Sequence, residues 1–387
     1  MMPYRSGIRV LLAGGGTGGH VYPAIAIAHA VQSRRPTAEI AFAGSRDRME
    51  WQAVPKAGFP IHEIAVQGLQ RALTLKNARL PFTVTKGLMQ AWSLIKHFDA
   101  HVVVGTGGYV ALPVLLAARG RGVPTLIQEQ NAYVGLTNRI AARFADRIHV
   151  AFQEAADRLP DGVAKVTGNP VRAELADVAV RDRAEARAAL GFEAAAGAGG
   201  SAEGADHGQM VFVFGGSLGS LALNRAMERV VADLLRRPGL CVYWQTGRNY
   251  HADIVERLGD RMAGRLRVVP YVDDMATVYA AADVVVCRSG ALTCSELMLT
   301  GRPSLLVPSP NVTEDHQTLN ARSLQQAGAA EVLREADLEA TLVDRLFSLL
   351  DNPAGLRRMS AAARSLARPT AAADIAADVI QLAEARS

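Results

Sequence analysis

Residues 8–31 read IRVLLAGGGTGGHVYPAIAIAHAV, and this stretch decides the fold. Ile8 to Ala13 is an apolar run broken only by Arg9, as expected of a parallel strand buried on both faces. Gly14, Gly15 and Gly16 break it, and Thr17, Gly18, Gly19 and His20 follow. From Pro23 small apolar residues resume, which reads as a helix with proline in its first turn. Strand, glycine turn and helix together bring backbone N–H groups and a helix N-terminus towards an anion. Glycine suits the turn because side chains would block that approach. The device recurs twice. Val102 to Val104 leads into Gly105-Thr-Gly-Gly-Tyr109, and Met210 to Phe214 leads into Gly215-Gly-Ser-Leu-Gly219.

A chain of 387 residues is too long for one comfortable core, so two α/β domains are expected. Its 49% hydrophobic and 20% charged residues fit an ordinary globular protein. The net charge of +5 is unevenly spread: residues 1–170 hold 19 Lys and Arg against 10 Asp and Glu, and residues 171–387 hold 23 against 27. A basic first half suits an anionic partner as well as a solvated surface. Cys241, Cys287 and Cys294 lack CxxC spacing and read as small buried residues in a reducing compartment. Arg5 and Arg9 precede an apolar run that glycines interrupt, so neither a signal peptide nor a membrane span is expected, and the chain is placed in the cytoplasm.

Further strands are expected at 39–43, 61–66 and 124–127, the last running into Gln128-Glu-Gln-Asn131. Val66 to Ala91 contains no acidic residue and mixes Arg71, Lys76, Arg79 and Lys86 with Leu73, Leu75, Leu80 and Phe82. A domain boundary is expected at the Asn-Pro turn of Gly168-Asn-Pro-Val-Arg172. The second half repeats the alternation, with strands at 210–214, 240–245, 283–287 and 304–308. Residues 194–208, AAAGAGGSAEGADHG, read as a low-complexity surface loop. Alternation in both halves predicts two doubly wound, Rossmann-like domains facing a cleft, with ligands beyond the carboxyl ends of the strands.

Several constellations carry chemistry. Gly14-x-Gly16-x-x-Gly19 satisfies the dinucleotide pattern, but the second strand ends in Gly44-Ser-Arg-Asp-Arg48 rather than the acidic residue that would hold a ribose, which argues against a dehydrogenase. His20 opens the first helix, where the helix dipole disfavours an imidazolium and a neutral ring can take a proton from a hydroxyl. The alternative is a histidine that caps or packs. Glu296 lies on a helix beginning at Ser289-Gly290-Ala291, whose N-terminus suits a phosphate while the carboxylate suits a ribose diol. Alternatively it is a surface helix residue. Gln317 and Asn320 suit neutral hydroxyls. No Asp-x-Asp, Walker lysine or GxSxG occurs, so no tightly held metal or other cofactor is expected, nor a P-loop NTPase or serine hydrolase.

Seven motifs in order resemble the MurG family of peptidoglycan N-acetylglucosaminyltransferases. They are Gly15 to Ala24, Gly105 to Tyr109, Glu129-Gln-Asn131, Gly168 to Arg172, Gly215 to Gly219, Arg288 to Glu296 and Glu314-Asp-His-Gln317. The resemblance implies a two-domain GT-B fold. An acceptor- and membrane-facing domain would span 1–170, with a terminal helix from about 369 to 387 packing back on it. A UDP-sugar domain would span 171–368. It also implies that Thr17, Gly18, Gly19 and Asn131 approach the donor from the first domain. Arg172, Ser217, Val272, Ala291, Leu292, Thr293, Cys294, Ser295, Glu296 and Gln317 would complete the donor site, with the Val272 backbone reading uracil. Some family members have two glutamines where this chain has His316-Gln317, so no role is assigned to His316.

The expected reaction is transfer of N-acetylglucosamine from UDP-N-acetylglucosamine to the 4-hydroxyl of the muramoyl sugar of an undecaprenyl-pyrophosphoryl pentapeptide. It proceeds by one inverting displacement, with His20 or Glu129 as general base and domain closure limiting hydrolysis. The expected partners are these two substrates and an anionic inner-membrane surface on the cytoplasmic side, with no nucleic acid. A UDP-sugar epimerase on a related fold and an inactive nucleotide-sugar-binding scaffold are the competing readings.

Overall fold

The computed structural model describes residues 7–66, 80–192, 208–259 and 264–386. It divides into two units, one formed by 1–171 with 368–387 and the other by 172–367. The basic positions Arg71, Lys76 and Arg79 and the low-complexity residues 194–207 lie outside the described residues.

The first unit is built on a seven-stranded parallel sheet of order β3-β2-β1-β4-β5-β6-β7. The strands are β1 (Arg9–Gly14), β2 (Glu39–Gly44), β3 (Ile61–Glu63), β4 (Val102–Gly107), β5 (Thr125–Glu129), β6 (Arg147–Val150) and β7 (Ala164–Val166). β1 is buried along its whole length, which explains its apolar run from Val10 to Ala13. Helix α1 (Gly18–Arg34) starts five residues earlier than Pro23 suggests, and the proline lies inside it. Pro23 has no N–H to offer the Gly19 carbonyl, so its place in a helix interior is tolerated rather than favoured. Three further helices matter here: α2 (Glu50–Lys56), α3 (Leu80–Phe98) and α4 (Ala111–Gly120). Gly105 to Gly107, expected as a turn, continue β4. The register with β1 slips there, so that Ala13 faces Gly105 and Gly14 faces Gly107, leaving Thr106 as a bulge.

The second unit carries a six-stranded parallel sheet of order β10-β9-β8-β11-β12-β13. Its strands are β8 (Gln209–Phe214), β9 (Leu240–Gln245), β10 (Leu266–Val269), β11 (Val284–Cys287), β12 (Ser304–Leu306) and β13 (Glu331–Val332). Helices α5 (Leu221–Arg236), α6 (Ala291–Thr300) and α7 (His316–Gln326) surround the carboxyl ends of β8 and β11. The chain then returns to the first unit as α8 (Ala371–Glu384). Ile375, Val379 and Ala383, spaced four apart, place one apolar face of α8 in the core that holds Ile27 and Val31 of α1.

In each sheet the strand order reverses once, between β1 and β4 and between β8 and β11. A crevice opens at such a reversal because the flanking connections leave to opposite faces. The glycine segments after β1, β4 and β8 stand at these two points.

Candidate active site

At the first reversal the glycine turn meets an anion supplied by the chain itself. The carboxylate of Glu50, fully buried, accepts from Gly16 N (3.0 Å), Ser45 N (3.1 Å) and Ser45 Oγ (2.8 Å). A Cβ on Gly15 would collide with that carboxylate, and one on Gly108 with the Gly15 carbonyl. Thus part of the glycine richness serves internal packing, and the Gly16 amide is already committed. Thr17 precedes α1 in extended conformation and makes no side-chain cap, so Gly18 and Gly19 form an uncapped first turn.

His20 sits in that turn, partly exposed. Its Nδ1 lies 2.8 Å from Oε1 of Gln130, and its carbonyl accepts from Thr106 Oγ1 at 2.8 Å. Gly107 (φ 108°) has to be glycine, because a Cβ there would stand 2.8 Å from His20 Nδ1. Gln130 is buried, and its Nε2 faces three acceptors: the carbonyls of Thr106 (2.7 Å) and Gln128 (2.8 Å) and Gln128 Oε1 (2.6 Å). Gln128 in turn donates to Asn169 Oδ1 at 2.9 Å, and Asn169 Nδ2 donates to the Gln130 carbonyl at 3.0 Å.

Glu129, the other candidate base, is buried and accepts four hydrogen bonds. Asn131 N (3.0 Å) and Asn131 Nδ2 (3.2 Å) donate to Oε1, while Gly135 N (3.0 Å) and Asn138 Nδ2 (2.8 Å) donate to Oε2. These donors fill the acceptor directions of an ionised carboxylate. The side chain clamps the 131–138 segment, and Asn131 is held by it.

In the second unit a cleft of about 590 Å³ opens at the other reversal, lined by Gly215 to Ala222, Arg225, Arg288, Ser309, Asn311, Gln317 and Glu335. Ser217 is exposed on the glycine loop. Ser220 caps α5 by accepting from Leu223 N, and its Oγ also takes two bonds from Arg288 at 3.1 and 2.7 Å. Arg288 further donates to the Val307 carbonyl (3.1 Å) and pairs with Glu335, so it works as a strut. Gln317 joins two segments: its Oε1 accepts from Ser309 N (2.9 Å) and its carbonyl from Ser289 Oγ (2.8 Å). Asn320 donates to the Ser289 carbonyl (3.1 Å). His316 is the first residue of α7.

Gly290 leads into α6 without a side-chain cap. Along 291–296 Leu292 and Thr293 are partly exposed, whereas Ala291, Cys294, Ser295 and Glu296 are buried. Ser295 Oγ donates back to the Ala291 carbonyl (3.1 Å), and burial pushes the Cys294 thiol up to about 12. The side chains of Cys294 and Ser295 therefore face the interior, leaving only their backbone to a ligand. Glu296 Oε2 accepts from the buried Tyr279 hydroxyl at 3.0 Å, and its Oε1 lies 3.7 Å from Arg172 Nε. Burial raises the Glu296 carboxyl above its ordinary range, against the opposing pull of Arg172 and Tyr279. Val272 is buried, with its N–H donated to Gln245 Oε1 (3.2 Å), while Gln245 Nε2 donates to the Gly216 carbonyl (2.8 Å).

Nothing in the local sequence marks Glu50, Gln245 or Tyr279 as part of these sites. Gln130 alone carries a signal, since it stands within the Glu129-Gln-Asn131 motif.

Residues 10–150 match the glycosyltransferase family 28 N-terminal domain, and residues 210–379 match the family's C-terminal domain. Two parallel-sheet units carrying that pair define a family 28 glycosyltransferase of GT-B fold. The chain is similar, at 54% identity over 375 residues and 97% of each chain, to a Salinibacter ruber protein named UDP-N-acetylglucosamine–N-acetylmuramyl-(pentapeptide) pyrophosphoryl-undecaprenol N-acetylglucosamine transferase. It also resembles the crystal structure of Acinetobacter baumannii MurG, with TM-score 0.75 and 29% identity, covering 97% of this chain and 99% of that one. The chain belongs to the MurG family. A Neisseria meningitidis UDP-GlcNAc 2-epimerase bound to UDP-GlcNAc shares the fold alone, with TM-score 0.64 at 12% identity over 97% of this chain and 99% of that one.

Proposed function

We propose that this chain transfers N-acetylglucosamine from UDP-N-acetylglucosamine to the 4-hydroxyl of the muramoyl sugar of the undecaprenyl-pyrophosphoryl pentapeptide, converting lipid I to lipid II with inversion. The observation that carries this reading is the 54% identity, end to end, to a relative named for that transfer. His20 takes the proton of the attacking hydroxyl as its oxygen bonds to the anomeric carbon. The bond from that carbon to UDP breaks in the same step. Glu129 is not needed as base, because its carboxylate is saturated by four donors.

The second unit holds the donor in this reading. Glu296 accepts from the ribose diol, and Arg172 stands beside it. The Ser217 loop and the uncapped start of α6 meet the leaving diphosphate, whose growing charge needs donors already in place. With the Val272 N–H committed to Gln245, uracil recognition there falls to the Val272 carbonyl.

The first unit carries the membrane contact. Among the described residues no helix is long and apolar enough to cross a membrane. Helix α3, however, exposes Phe82 (76%), Met89 (62%), Val84 and Trp92 together with Lys86 and no acidic residue. Val84 and Leu88, which a core helix would bury, are both exposed. Apolar side chains flanked by cations suit the headgroup boundary of an anionic leaflet, here the cytoplasmic one.

Incubation with radiolabelled UDP-N-acetylglucosamine, with and without the lipid-linked muramoyl pentapeptide, tests the function. Acceptor-dependent label in lipid with matching UDP release is expected. Conversion of the sugar nucleotide without acceptor would instead identify an epimerase, and binding without turnover a scaffold.

A further inference from the structure

We infer that Gln130 is a positioning residue that fixes the tautomer of His20. The inference rests on reading His20 as the general base. A neutral imidazole carries its proton on one nitrogen, and only the other nitrogen can act as base. Which one is protonated depends on the partner, and here the partner has no choice of orientation. Turned the other way, the Gln130 amide would set its oxygen against the carbonyls of Thr106 and Gln128 and against Gln128 Oε1, all acceptors. Gln128 cannot relieve that conflict by turning, because its own Nε2 faces the Glu129 carbonyl (3.1 Å) and Asn169 Oδ1 (2.9 Å). Asn169 is fixed in its turn by donating to the Gln130 carbonyl (3.0 Å). The chain of amides is anchored on backbone carbonyls, so Gln130 Oε1 must face His20. Oε1 is an acceptor only. The His20 proton therefore sits on Nδ1, and the lone pair stays on Nε2 for the acceptor hydroxyl. A neutral amide does this without placing a second charge beside the ring.

The test is the nitrogen spectrum of the full-length protein labelled with ¹⁵N-histidine. The His20 signals are identified by their loss in His20→Ala. The parent should show Nδ1 protonated and Nε2 bare; an Nε2-protonated His20 in the parent overturns the inference without any variant. In Gln130→Met, which keeps volume but removes the acceptor, His20 should shift towards the Nε2-protonated form. Turnover should fall roughly 10- to 100-fold, part of the 10²–10⁴-fold a positioned base supplies, with the KM for UDP-N-acetylglucosamine little changed. Gln128→Met leaves Gln130 its two backbone acceptors, so His20 should keep its tautomer there. An unchanged tautomer in Gln130→Met, or an equal change in Gln128→Met, overturns the inference. The reading of His20 as base fails separately: near-normal turnover in His20→Ala removes it, whatever the spectrum shows. If both hold, adding Gln130→Met to His20→Ala causes no further loss of turnover.

Discussion

Replacing Glu296 by glutamine separates what this carboxylate costs the fold from what it gives the ligand. Burial raises its pKa in the folded protein, and Arg172 and Tyr279 only partly offset this. The folded state thus holds the proton more tightly than the unfolded chain, where a glutamate titrates near 4.3. Stability is therefore lost as pH rises from that value through the folded one. Glutamine does not titrate and escapes this cost, and its amide oxygen still accepts from the Tyr279 hydroxyl. The Arg172 contact at 3.7 Å involves a half-exposed guanidinium and contributes about 0–1 kcal/mol. Glu296→Gln should match or exceed the parent in stability at pH 7.5, with the difference shrinking towards pH 5. Glu296→Ala should instead lose about 1–3 kcal/mol, because it strands a buried hydroxyl. Both variants should bind UDP about 1.5–3 kcal/mol more weakly, the worth of hydrogen bonds to a charged group. Urea melts at the two pH values and calorimetry with UDP and its 2′-deoxy analogue supply the readouts. The 2′-deoxy ligand should suffer less. A glutamine variant clearly less stable than the parent at pH 7.5 would mean that pairing outweighs desolvation. Equal losses with both nucleotides would refute the diol assignment.

Three further outcomes are expected. Glu129→Gln should destabilise the protein by about 1–3 kcal/mol in urea, since an amide N–H₂ then faces donors, yet turnover per folded molecule should survive; a fall of about 10²-fold or more would restore Glu129 as a base. Replacing Phe82 and Met89 by serine should weaken sedimentation with anionic vesicles while sparing UDP affinity, and vesicle binding equal to the parent would place the membrane contact elsewhere. Burial pushes His149 down to about 4 despite Asp378 at 3.0 Å, so the unfolded chain takes up the proton first; stability should fall as pH drops from about 6.5 towards 4, and a flat profile across that window would contradict a buried neutral ring.

The strands are legible because burial on both faces writes an apolar run, as from Val10 to Ala13 in β1 and Met210 to Phe214 in β8. The start of α1 is not, because Pro23 imitates a first-turn marker while the glycines before it already turn. The site divides along a different line. His20, Ser217 and Glu296 stand beside the glycine turns in sequence, so local pattern reaches them. Glu50 and Gln130 find their partners 34 and 110 residues away. No local pattern encodes such pairings. They follow from the strand order, which sets β2 and β4 on either side of β1 and β5 beside β4, so that the segments after these strands meet. A buried carboxylate or amide left without partners would cost more than the fold could bear, and only that long-range order shows that Glu50 and Gln130 are satisfied. The sequence can therefore nominate His20 as a base. The side of its ring that holds the proton depends on the bulge at Thr106 and the Gln128 carbonyl of β5, and both belong to the folded sheet.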